Sequence, residues 1–129
     1  MLGSSKKPKP ASGRVDTILG QQTRIEGDVH FTGGLHVDGC IKGGVIAEAG
    51  SASVLTVSEH GSIEGDVRVP TVILNGTVSG NVHSDERIEL AAKARVDGDV
   101  FYKLIEMAMG ATVNRSLVHR PEAEAPLLA

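Results

Sequence analysis

Ile63-Glu64-Gly65-Asp66-Val67 is the stretch on which the fold turns. Two branched aliphatics flank a glycine, with a polar residue on each side of it. The pattern returns as Ile25-Glu26-Gly27-Asp28-Val29, Ile41-Lys42-Gly43-Gly44-Val45, Val78-Ser79-Gly80-Asn81-Val82 and Val96-Asp97-Gly98-Asp99-Val100. A degenerate sixth copy reads Val113-Asn114-Arg115-Ser116-Leu117. Successive central residues lie 16, 22, 15, 18 and 17 positions apart. The outlier of 22 contains Gly50-Ser51-Ala52-Ser53, a turn-rich run that reads as a longer loop.

Apolar and polar residues alternate through each copy, the period of a strand with one buried face, and no helical period competes. A second short apolar stretch precedes most copies. One offset recurs, six residues, from Leu35 to Ile41, Val57 to Ile63, Leu90 to Val96 and Met107 to Val113. Each repeat is therefore read as several short strands separated by bends. A unit of about 17 residues cannot bury its own apolar face, so successive units must stack as coils of a solenoid with parallel strands pairing between them. The glycine at the centre of each copy is expected to point inward and to let backbone or opposing side chains approach closely. A left-handed β-helix of the hexapeptide-repeat kind needs nearly strict six-residue steps, which the irregular spacing disfavours. The expected fold is all-β, a right-handed parallel β-helix of about six coils. It would occupy residues 18–118, between a flexible basic tail (1–17) and a disordered C-terminal tail (119–129).

Composition agrees with one such core. The chain has 129 residues, room for a single domain, and is 40% hydrophobic. Its only aromatic residues are Phe31, Phe101 and Tyr102, so a core must be built from aliphatics. Cys40 is the single cysteine, which excludes an intramolecular disulfide framework or a cysteine-cluster zinc site and points to a reducing compartment. No run approaches the roughly 20 apolar residues of a membrane span, and the N-terminus lacks the apolar region of a signal peptide. A cytoplasmic location is expected. The net charge of −3 is mild but unevenly spread. Four of the thirteen basic residues, Lys6, Lys7, Lys9 and Arg14, precede the first acid, Asp16, and leave nine for the rest of the chain against all sixteen acids.

The run from Ile25 to Val45, with Ile63–Val67 and Ala94–Val100, closely resembles the bactofilin family. The likeness extends over about residues 18–118. It implies a bacterial cytoskeletal protein whose right-handed β-helix assembles into filaments without nucleotide. It also implies that such filaments line the membrane locally, at the inner face of the cytoplasmic membrane, and localise cell-wall-modifying or morphogenetic partners. Arg115 departs from the pattern, standing where a small residue is usual, and so calls the shape of the last coil into question.

A stacked β-helix without caps exposes strand edges and an apolar cross-section at both ends. Nothing at either end of the repeats reads as an amphipathic capping helix. Ile18, Leu19 and Ile25 in the first coil, and Met107, Val113 and Leu117 in the last, are therefore expected to carry contacts between copies of the chain. The alternative, that they only fill the terminal coils, is compatible with this role. In the basic tail, Met1 and Leu2 form an apolar tip ahead of Lys6, Lys7 and Lys9, a combination expected to bind an anionic membrane weakly per chain and strongly once chains polymerise. A merely solubilising tail is the other reading.

On the outer surface, Glu26, Lys42, Glu64, Ser79, Asp97 and Asn114 occupy equivalent positions. Their alternation reads as separation of like charges between stacked coils. A calcium ladder through Glu64, Asp66, Asp97 and Asp99 is disfavoured because Ser79 and Asn81 interrupt it. The competing functional class is an enzyme, a left-handed acyltransferase or a carbonic anhydrase-like trimer. His30, His36, His60, His83 and His119 are too scattered for a zinc site, and His30 and His83 are read as solvated corner positions. There is no phosphate loop, dinucleotide fingerprint or supported Ser/His/Asp order, so no catalytic residue, metal or cofactor is assigned. Cys40 has outward parity and reads as an inert exposed thiol. The body lacks the basic face and aromatic platforms of a nucleic-acid binder.

Overall fold

The computed structural model describes residues 16–48 and 52–121, and they form an all-β solenoid of six coils. Each coil contributes one short strand to each of three parallel sheets. The first sheet stacks Thr17–Leu19, Gly34–Val37, Val54–Val57, Thr71–Leu74, Arg87–Leu90 and Leu104–Met107. The second stacks Arg24–Glu26, Cys40–Lys42, Ser62–Glu64, Thr77–Ser79, Arg95–Val96 and Thr112–Val113. The third stacks Val29–Phe31, Val45–Ala47, Val67–Arg68, Val82–His83, Val100–Tyr102 and Leu117–His119.

The interior is a set of aliphatic columns, one residue per coil. Ile25, Ile41, Ile63, Val78, Val96 and Val113 are in register in the second sheet. Val29, Val45, Val67, Val82, Val100 and Leu117 are in register in the third. The first sheet supplies Leu35, Leu55, Val72 and Ile88 together with Val37, Val57, Leu74 and Leu90. In the four middle coils these side chains are essentially sealed from water. Burying each contributes about 1.5–3 kcal/mol relative to leaving it exposed.

One local expectation is corrected. The five-residue motif is not one strand. Ile63 lies in a strand of the second sheet that ends at Glu64; Gly65 and Asp66 turn the corner, and Val67 begins a strand of the third. Apolar residues two positions from the glycine on either side thus face the same core from different sheets, which imitates a strand's alternation. The close approach expected at the central glycine is present. At Gly43, Gly65, Gly80 and Gly98 an added Cβ would fall within 3.0 Å of the carbonyl oxygen of the preceding coil's glycine, so the close approach is backbone against backbone. Gly65 also has φ +155, where L-residues are strained.

A second device at the same corner joins the coils. The Oδ1 atoms of Asp28, Asp66, Asn81 and Asp99 accept hydrogen bonds from the backbone N–H groups of Gly44, Asn81, Asp99 and Ser116, at 2.8, 3.0, 2.9 and 3.2 Å. The acids there are ladder acceptors as well as surface charge. Arg115 leaves the corner intact. Thr112–Val113 and Leu117–His119 keep the same pairing as the coils before, and the Arg115 guanidinium turns out to lie 3.8 Å from the Asp99 carboxylate.

The repeat length varies for a definite reason. From the second-sheet core residue to the third-sheet one is four positions in every coil, Ile25 to Val29 through Val113 to Leu117. All variation lies at the other two corners. The residue equivalent to Val57 is Val37 and not Leu35, so the step into the second sheet is four residues at Val37–Ile41 and Leu74–Val78 and six elsewhere. The longest coil takes its extra residues between Ala47 and Val54.

Gly65→Ala is expected to lower unfolding free energy by about 1–3 kcal/mol, because its Cβ meets fixed backbone. Gly20→Ala, where nothing lies within 4 Å, should change it by well under half as much, and chemical denaturation of the two variants compares them directly.

Candidate functional site: the two ends and the outer faces

Each column of the core runs out at both ends of the stack. Among the described residues, the three strands of the first coil and the three of the last are edge strands in every sheet. An edge presents unpaired N–H and C=O groups, and here it borders an apolar cross-section. At the N-terminal end Leu19, Ile25, Val29 and Phe31 pack against the core but stay half-buried. At the other end Ile105, Ala111 and Val113 do the same, while Met107 is 44% exposed and Leu117 42%. Their partners one coil inward, among them Val37, Ile41, Leu90 and Val96, are sealed. The missing neighbouring coil alone accounts for that difference.

Five of the six residues singled out from the sequence, Leu19, Ile25, Met107, Val113 and Leu117, therefore lie in core columns at the ends. Ile18 does not. Its register partner is His36, and it stands 66% exposed on the outer side of the first sheet. Sequence reading missed Val29, Phe31, Ile105 and Ala111, which share these surfaces. Their signal was parity, since Val29 aligns with Val45 and Ile105 with Ile88. Met1, Leu2, Lys6, Lys7 and Lys9 lie outside the described residues, as does most of the C-terminal tail.

The outer faces differ in chemistry. The second sheet carries the alternating row in register, Glu26 beside Lys42 beside Glu64 beside Ser79, and Asn114 donates from its amide to Asp97 further on. Cys40 lies in this sheet, partly exposed, between Arg24 and Ser62. The third sheet presents His30, Ile46, Arg68, His83, Phe101 and Val118. His30 and His83 are thus strand positions and not corners. The His83 ring stacks on Phe101, with centroids 4.5 Å apart and planes within 3°. Burial against this neighbour, followed by the charge of Arg68, holds the His83 imidazole below the usual histidine range. Beyond it, the Arg120 guanidinium lies 5.1 Å from the Phe101 ring centroid.

His36 approaches Asp38, His60 approaches Glu59, and His119 sits by Tyr102 and the Lys103 carbonyl. Among the described residues no three His, Cys, Asp or Glu side chains are grouped to hold a metal, and no helix is long and apolar enough to cross a membrane.

An open-ended parallel β-solenoid, with three edge strands and a bare aliphatic cross-section at each end, is a protein that can lengthen by adding coils. The chain belongs to the bactofilin family: residues 17–117 match the family model described as Bactofilin, polymer-forming cytoskeletal. It is 29% identical over 97 residues to Bactofilin BacO of Myxococcus xanthus (strain DK1622), covering 75% of this chain and 74% of BacO. It is 32% identical over 98 residues to Bactofilin BacP of the same organism, covering 75% of this chain and 39% of BacP. No solved structure matches the chain. The family makes it a polymer-forming cytoskeletal protein.

Because His83 is harder to protonate folded than unfolded, its contribution is fully present above the unfolded value of about 6.5 and is lost as pH falls through that value towards the lower folded one. The midpoint of denaturation should drop between pH 7 and 5. His83→Phe, which keeps a ring on Phe101, is expected to flatten that part of the profile relative to the parent chain.

Proposed function

We propose that the chain polymerises end to end through its terminal coils, without nucleotide, as a right-handed helix, and that the filament is a scaffold at the cytoplasmic membrane for cell-wall-modifying or morphogenetic partners. The observation that carries this reading is the pair of open cross-sections. Leu19 and Ile25 at one end, and Met107, Val113 and Leu117 at the other, offer the aliphatic columns that another coil would continue. Stacking a second copy seals these side chains and pairs three edge strands at once, two gains that need no bound ligand. Unequal corner lengths favour the right-handed winding, since the left-handed hexapeptide form depends on regular six-residue steps. Met1 and Leu2 with Lys6, Lys7 and Lys9 are the proposed membrane contact, each basic residue adding about 1 kcal/mol near an anionic surface. Repetition along the filament turns a weak anchor into a firm one.

Val113→Arg tests the joint. It places a charge in the terminal cross-section and is expected to weaken end-to-end association at least about tenfold, or 1.4 kcal/mol, read as loss of pelleted protein and of filaments in negative stain. Its circular dichroism should match the parent chain. A variant that keeps its fold and still pellets removes this end from the joint. Filaments of the parent chain should form equally well with and without added nucleotide or chelator. Deleting residues 1–9 should leave filaments intact but abolish their co-sedimentation with anionic liposomes.

A further inference from the structure

The outer face of the third sheet is unlike the other two. Arg68, His83 and Phe101 follow one another on adjacent strands, and Arg120 folds over Phe101 from the end of the last coil. Together with Ser84 and Asp85 they line a cleft of about 90 Å³. Arg24, Arg87 and Arg115 each meet a carboxylate, whereas Arg68 and Arg120 make no ion pair among the described residues. Asp85 is the only acid lining the cleft, so its lining keeps a net positive charge. Nearby Asp66 directs its carboxylate to the Asn81 N–H. Towards the first coil, the same face opens into a wider groove of about 650 Å³, lined by His30, Phe31, Thr32, Ile46, Ala47 and Glu48. The face thus offers a basic seat and then a partly apolar one, centred on Phe31, Ile46 and Ala47, in that order away from the last coil.

The sequence that follows Arg120 has the complementary order: Pro121-Glu122-Ala123-Glu124-Ala125-Pro126-Leu127-Leu128. Distance matches as well. Arg120 belongs to the sixth coil and Arg68 to the third, three steps or about 14 Å at the strand spacing. An extended chain covers about 3.3 Å per residue, which brings Glu124 level with Arg68. Three or four residues more span about 10–13 Å, the two further steps to the coil of His30. Two prolines suit an extended path, since they fix φ and remove donors that an unpaired segment would leave unsatisfied.

We infer that residues 122–128 fold back across the outer face of the third sheet of their own subunit, with Glu124 on Arg68 and Leu127–Leu128 in the groove beside Ile46. Such a strap lies along the stack, clear of the C-terminal cross-section, and reaches the rim of the N-terminal one at Phe31. It also makes this face accessible to an acidic, leucine-bearing partner segment only by displacement.

Disulfide trapping tests the inference in the full chain with Cys40→Ser. One variant adds His30→Cys and Leu128→Cys. The comparison variant adds Ser79→Cys and Leu128→Cys, which places the thiol on the second sheet, nearer the last coil but off the proposed path. Both body positions are exposed, so neither change disturbs the core. Under mild oxidant the His30 pair is expected to close within one subunit at least about fivefold faster than the Ser79 pair, the higher effective concentration of a seated strap. Glu124→Lys should remove that advantage, and adding Arg68→Glu should restore it. Equal rates, a faster Ser79 pair, or cross-links that run as dimers would overturn the inference, as would an advantage that survives Glu124→Lys.

Discussion

Each of the second to fifth coils rests on the one before it through bare backbone, where the carbonyl oxygen of one corner glycine lies against the next, Gly27 beneath Gly43 beneath Gly65 beneath Gly80 beneath Gly98. This contact sets the step among the first five coils, and the sixth, with Arg115 at the equivalent position, is held by strand pairing and by the Asp99 side chain. Once it is set, the backbone ladder runs through the corner without interruption, as when Gly43 and Val45 donate to the carbonyls of Glu64 and Asp66. The aliphatic columns then align automatically, because the distance from second-sheet to third-sheet core residue is fixed at four positions. The Asp and Asn side chains beside the glycines reinforce the same joint by capping N–H groups of the next coil.

The other two corners are free of this constraint, and their sequences show it. Steps of four and six residues into the second sheet coexist within one stack, and the coil containing Ala47 and Val54 accepts several more. Each strand still finds its partner because the register is re-imposed once per turn at the glycine corner. A solenoid thus tolerates an irregular perimeter provided that one corner is invariant. The outer surface inherits the same logic: residues one coil apart become neighbours, so Glu26, Lys42 and Glu64 form a row that is visible only after stacking.

Most of the architecture was legible in the sequence because a repeat reports its own stacking. Six copies of one motif gave six coils, and family membership followed from the same residues. What the pattern concealed was where the chain bends. Ile63 and Val67 alternate with polar residues as they would in a strand, yet they belong to different sheets, and only the backbone geometry of Gly65 separates the two cases. Ile18 illustrates the complementary limit: beside Leu19 it reads as one apolar pair, but register with His36 turns it outward while Leu19 pairs with Val37 in the core column. The stack of His83 on Phe101 was hidden for another reason, since the two lie 18 positions apart and meet only through pairing of their strands.

The long corner between Ala47 and Val54 has a meaning for the assembled polymer that it lacks in one subunit. In the end-to-end filament proposed above, six coils at about 4.8 Å each would give a subunit rise on the order of 29 Å, and a feature present in a single coil would recur at that interval. The proposed filament of otherwise similar coils is thereby graduated like a ruler, with one longer coil per subunit.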